Sequence, residues 1–68
     1  MPSKQSRQAV LNILVEHKTG IDSYDLLFLS GLSLDTAGKV MQELIAEKLI
    51  EQVGESGTMW RLVKNNEQ

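Results

Sequence analysis

The chain has no cysteine among its 68 residues. That excludes a disulfide scaffold, a thiolate metal site and thiol catalysis. Proline, phenylalanine, tyrosine, tryptophan and histidine each occur once. His17 has neither a second histidine nor a cysteine to join it, so it is a poor metal or catalytic candidate. No apolar run approaches the roughly 18 residues of a membrane span, and the N-terminus has no signal-peptide core. The expectation is a soluble, cytoplasmic protein with no membrane partner. Basic excess is also missing: seven Lys and Arg stand against nine Asp and Glu, a net charge of −2. Such a chain does not bind polyanions indiscriminately.

What remains is ordinary globular material, 41% hydrophobic and 24% charged, not the composition of a disordered tail. The length allows one domain over 1–68 with a small core, since only about 60% of the unfolded surface can be buried at this size. The structured part is expected over about 6–63, with the polar ends 1–5 and 64–68 fraying. Charge is uneven along the chain: +2 over 1–20, −4 over 21–47 and 0 over 48–68.

Ala9, Val10, Ile13 and Leu14 recur on one helical face and predict a first helix over 6–18. Ser3 or Ser6 can cap its start. His17 and Lys18 would occupy its last turn, and Gly20 stands where a left-handed residue ends a helix. Ile21 reads as an isolated apolar residue. Asp22 or Ser23 then caps a short second helix ending near Ser30, with Asp25 in its first turn and Gly31 breaking it. Ser33 caps a third helix running to about Lys48. With Ala37 at the centre of its inner face, Val40, Met41, Leu44 and Lys48 stay inside. Asp35, Lys39, Gln42, Glu43 and Ala46 point out. After Lys48 the period becomes two. Residues 49–53 and 58–63 read as strands around the turn cluster 54–57, a two-stranded hairpin. Trp60 and Leu62 share the face that must pack on the helices, with Trp60 as the plug. Met59, Arg61 and Val63 share the other face.

Some residues carry two readings. Leu26, Leu27, Phe28 and Leu29 are consecutive, and one helix face cannot bury all four. Either a terminus folds over Phe28 and Leu29, or these form a patch for a second chain. Gly38 costs about 1 kcal/mol in a helix interior relative to alanine. It marks either close approach of another molecule to the backbone, or drift on a tolerant surface. Lys39 is either a contact to such a molecule or simply the helical partner of Glu43. Asp35 complements the helix dipole, and His17 does the same at the end of the first helix. No nucleophile–base pair, glycine-rich phosphate loop or metal spacing is present, so the chain is not expected to be an enzyme or to need a cofactor or small-molecule ligand.

Helix, helix, helix, hairpin is the order of a winged helix-turn-helix domain, and particular residues carry the resemblance. Ile21-Asp22-Ser23 followed by Leu26 resembles the family's approach to its second helix. Ser30-Gly31-Leu32-Ser33 resembles the tight turn before the third. Thr36-Ala37 and Leu44 fall at the family's usual spacing within the recognition helix. Leu49-Ile50, Gly57 and Trp60-Arg61-Leu62 resemble the wing. The match covers roughly 6–63, and the length is similar to small bacterial and phage regulators, short fimbrial phase-variation regulators among them. The resemblance implies an α+β, mostly helical fold and a sequence-specific, double-stranded DNA-binding transcriptional regulator, with helix 33–48 in the major groove and wing 54–58 on the backbone.

Carried over, Ser33 and Thr36 would meet phosphates, Lys39 and Gln42 would face the groove, and Ser56 and Thr58 would lie along the backbone. Lys4 and Arg7 would clamp a phosphate from the start of helix one, and Arg61 from the hairpin. The acidity falls on the elements that must meet DNA, and Glu55 sits at the wing tip. Binding therefore demands help from Lys4, Arg7, Arg61 or a second subunit joined through Phe28 and Leu29. The rival reading is a winged-helix interaction module. It would bind a protein through helix two (Phe28, Leu29) or through the acidic outer face of helix three.

Overall fold

A computed structural model describes residues 3–63. Residues 1–2 and 64–68, on which part of the expected fraying falls, lie outside the described residues. Three helices, α1 (Lys4–Glu16), α2 (Ser23–Ser30) and α3 (Leu34–Ala46), accompany three short strands, β1 (Ile21–Asp22), β2 (Ile50–Val53) and β3 (Met59–Leu62). The result is a small, mostly helical α+β fold.

Each helix starts on a side chain that takes up a free backbone N–H. Ser3 Oγ accepts from Ser6 N at 3.1 Å, Asp22 Oδ1 from Tyr24 N at 2.9 Å and Ser33 Oγ from Thr36 N at 3.1 Å. The cap at Ser3 starts α1 at Lys4, so Lys4 and Gln5 are helical rather than frayed. The far end also differs from expectation: α1 stops at Glu16, and His17 is its terminal residue, with Lys18 beyond it. Gly20 does not end that helix. It has φ +125°, and a Cβ placed there would stand 2.9 Å from Val53 Cγ2, so glycine is needed where the chain turns onto the sheet.

Gly31 ends α2 in the left-handed conformation at φ 70°. At the end of α3 that conformation falls on Lys48, φ 62°, while its amide donates to Ile45 O at 3.0 Å. Lys48 is therefore past the helix and exposed, not on its inner face.

The sheet corrects the two-stranded expectation. Its strand order is β1-β3-β2, all antiparallel. Ile21, read as an isolated apolar residue, is the first residue of β1 and pairs with Trp60, while Asp22 pairs with Met59. A two-residue strand is too short to leave a period in the sequence. In the hairpin, Ile50 pairs with Leu62 and Gln52 with Trp60. Ile21, Ile50, Trp60 and Leu62 thus share the face turned to the helices.

The core is Val10 and Leu14 from α1, Ile21 from β1, Leu26 from α2, Val40 and Leu44 from α3, and Ile50 from β2. Trp60 and Leu62 pack against this cluster only half-buried. Trp60 covers the core edge rather than plugging it, because Ile21 and Ile50 on the flanking strands close the centre first.

Burial on this scale predicts a contrast. Ile21→Val should cost about 0.5–1.5 kcal/mol, as for a core methylene. Leu34→Ala, at a site 75% exposed, should change stability by no more than about 0.5 kcal/mol. Urea unfolding of both variants checks this. An Ile21→Val midpoint equal to wild type would remove β1 from the core.

Candidate nucleic-acid interface

The third helix has two unlike sides. Val40 and Leu44 are fully buried, whereas Leu34, Asp35, Gly38, Lys39 and Gln42 lie on the exposed side. Ser33 caps the start, and its hydroxyl also donates to Thr36 Oγ1 at 2.9 Å. Both hydroxyls proposed for phosphate contact therefore already bond each other, and Thr36 is half-buried. Lys39 is exposed but pairs with Asp35 at 3.3 Å, one turn back, instead of with Glu43. That exchange follows from the position of Glu43. It is half-buried and turned towards α1, where Arg7 Nη1 donates to its Oε1 at 3.2 Å. The expectation that Glu43 points outward is thus corrected.

Arg7 also donates to both carboxylate oxygens of Glu47, from Nη1 at 2.9 Å and from Nη2. A forked guanidinium fits a carboxylate in this two-bond manner. The Arg7 bond, opposed by partial desolvation and reinforced by its charge, holds the Glu47 carboxyl below its ordinary 4.5. Arg7 thereby neutralises acidity on the flank of α3 instead of reaching outward. The same contact places the start of α1 beside the end of α3. A helix of 13 residues is about 20 Å long, so Lys4 and Arg7 stand about that far from Ser33. Lys4 is exposed at the first position of α1. Arg61 Nε donates to Glu51 Oε2 across the hairpin at 2.7 Å, in an ion pair of its own.

The loop between β2 and β3 is tied at its base. Thr58 Oγ1 donates to Asp22 Oδ2 at 2.8 Å and lies 3.1 Å from Ser56 Oγ, and Ser23 N donates to Thr58 O at 2.8 Å. Asp22 therefore does two jobs. It caps α2 with one carboxylate oxygen and anchors the β2–β3 loop with the other. Gln52 Nε2 donates to Gly57 O and closes the loop from its other side. Ser56 and Thr58 are brought together as expected of one loop, but the Thr58 hydroxyl holds the loop to Asp22 at the start of α2 and the Ser56 hydroxyl bonds Thr58. Glu55, at the tip, is exposed.

The second helix carries three of the large apolar residues that the fold leaves exposed, beside Val15 on α1 and Leu34 and Ile45 on α3. Phe28 is 83% exposed, Tyr24 73% and Leu29 53%. No described residue of either terminus covers Phe28. Beside it lies a hollow of about 420 Å³ lined by His17, Gly20, Ile21, Asp22, Asp25, Phe28, Leu29 and Met59. Tyr24, exposed Leu34 and this hollow escaped the sequence reading. The four-residue apolar run flagged excess, but a hollow formed by α1, β1, α2 and β3 has no linear signature.

Among the described residues, no group of three or more His, Asp or Glu could hold a metal ion. No described helix is long and apolar enough to cross a membrane. Compared with known proteins, the chain matches no family model, no curated protein and no solved structure.

The Arg7–Glu47 bond predicts a pH effect with a definite sign. A carboxyl held low in the fold binds fewer protons than in the unfolded chain, so its contribution is complete above 4.5 and disappears as pH falls through the lower folded value. Arg7→Gln should therefore be less stable than wild type near neutral pH, with the gap closing below pH 4.5. Urea midpoints across this range measure it. A gap independent of pH would show that the pair contributes nothing through Glu47.

Proposed function

We propose that this chain is a sequence-specific, double-stranded DNA-binding regulator of transcription, of winged helix-turn-helix type. It places α3 in the major groove and loop 54–58 on the backbone, and acts as a dimer. The observation that supports this reading is the open side of α3. A helix buried along Val40 and Leu44 leaves Asp35, Lys39 and Gln42 exposed on one side, with Leu34 and Gly38 at its edge beside a hollow shared with Tyr24 and Leu27 of α2. Its capped N-terminus is also open, and unpaired backbone N–H groups there suit a phosphate.

Side-chain placement changes the weight of the acidity. Of the charges that sum to −4 over 21–47, only Asp35 and Lys39 lie on this open side. Glu43 and Glu47 are turned to Arg7, and Asp35 is matched by Lys39. The groove-facing surface is close to neutral. It repels DNA less than the sequence suggests, but attracts it weakly. Two copies on one site would double the contacts and suit a palindromic operator.

A second reading, a protein-interaction module, is favoured by one observation: Phe28 and Leu29 stand exposed beside a hollow on the helix that the DNA reading leaves unused. A patch of this kind is a binding surface in either account. The two accounts part over whether the patch serves self-association for DNA or binding of a different protein.

Titration with mixed-sequence duplex DNA at two salt concentrations tests the main reading. Binding should be visible at low salt and weaken with a log–log slope of about −4 per copy, since among the described residues Lys4, Lys18, Lys39 and Lys48 are the cations not held by two or more bonds or by a strand pair. Absence of binding at low salt would sink it. Lys39→Ala should weaken specific binding, and unchanged affinity would remove Lys39 from the interface. For the dimer, wild type should sediment above monomer mass at micromolar concentration and Phe28→Glu as a monomer. Equal monomer masses for both would refute self-association through α2.

A further inference from the structure

Gly38 sits in the middle of α3, where glycine weakens a helix. Two ordinary reasons for a glycine fail here. Its φ is not positive, unlike those of Gly20, Gly31, Gly54 and Gly57. Nothing lies within 4 Å of a Cβ built on it, so packing inside the fold does not require it either. The place where a missing side chain matters is outside the molecule, against something that comes close to the helix backbone. Leu34 and Gln42 stand one turn to either side, at i−4 and i+4, on the same exposed side.

Resting on the reading of α3 as the groove helix, we propose that Leu34, Gly38 and Gln42 form its base-reading row, and that the row selects A·T pairs. Gly38 lets the backbone sink towards the floor of the groove, so that the flanking side chains reach base edges. From Leu34 to Gln42 the helix rises about 12 Å, the span of three to four base steps.

The chemistry of the two side chains decides the preference. Leucine offers apolar atoms alone, and the apolar group on the major-groove floor is the thymine methyl. The glutamine amide matches adenine N6 and N7 with two bonds. Guanine is read best by arginine or lysine. Arginine is absent from α3, and Lys39 lies outside the row of Leu34, Gly38 and Gln42. Asp35, whose carboxylate could accept from a cytosine amine, lies outside it too. A small residue between two longer ones could also seat a helix of another protein. That partner is an outcome the test detects.

The test uses the full chain. Selection from a random duplex pool at low salt should enrich sites with A·T pairs under α3. Replacing their thymines by uracil, which removes the methyl, should weaken wild type about fourfold per contacted base, while Leu34→Ala should not respond to that replacement. Gly38→Ala should melt at a higher temperature than wild type and yet bind the selected site about tenfold or more weakly. Opposite changes of stability and affinity separate a binding role from a folding role. If wild type binds DNA but Gly38→Ala binds equally well, or the selected sites have no A·T requirement, the row is overturned while the DNA reading stands. If wild type binds no duplex at low salt, the DNA reading itself falls and takes the row with it. Loss of self-association in Gly38→Ala, with DNA binding intact, would assign the row to a protein contact and overturn its role in base reading.

Discussion

A chain this short can bury few side chains, and that scarcity governs the rest of the structure. Each helix and two of the strands commit one or two residues to a single cluster, from Val10 on α1 to Ile50 on β2. No element has a core of its own. A hairpin of two four-residue strands is barely stable alone, and β1, at two residues, is not a strand at all without β3 beside it. The sheet is held because Ile21, Ile50, Trp60 and Leu62 meet the helices on one face. The helices are in turn placed by what they bury against that face.

Small polar contacts then align what the core brings near. Asp22 joins the start of α2 to the base of the β2–β3 loop through Tyr24 and Thr58. Arg7 joins the start of α1 to the end of α3 through Glu43 and Glu47. At exposed sites such pairs add little stability. Their effect here is on surface charge: they consume Arg7, Glu43 and Glu47 on one flank and leave the outer side of α3 nearly neutral. A core this small also leaves apolar residues outside, and Phe28, Tyr24 and Leu34 are the largest cases. These two consequences, a neutral open helix and an apolar ridge on α2, are what any account of function must use.

Much of this was legible from residue order. Ser33 as the cap of α3, a choice of two caps for each of the other helices, Gly31 as the end of α2, the helical inner face through Val40 and Leu44 and the hairpin face shared by Trp60 and Leu62 all follow from local chemistry. Errors arose where a remote partner decides. Ile21 becomes a strand because Trp60 lies opposite, forty residues on by register. Glu43 turns inward because Arg7 from another helix meets it, and Lys39 then takes Asp35. Helix ends shifted by two residues for a plainer reason: caps at Ser3 and His17 compete with equally plausible neighbours.

Residue types and their spacing were therefore enough for the kinds of element, their order and the excess of apolar side chains on α2, since each depends on neighbours within a turn or a hairpin. Packing alone decided which charges meet and where the hollow beside Phe28 forms. Those features belong to pairs of residues that meet in space and leave no period in the chain. The acidity of residues 21–47 is the clearest case, because a sum along the sequence does not say that Glu43 and Glu47 meet Arg7 on one flank of α3 while Asp35 meets Lys39 on the other.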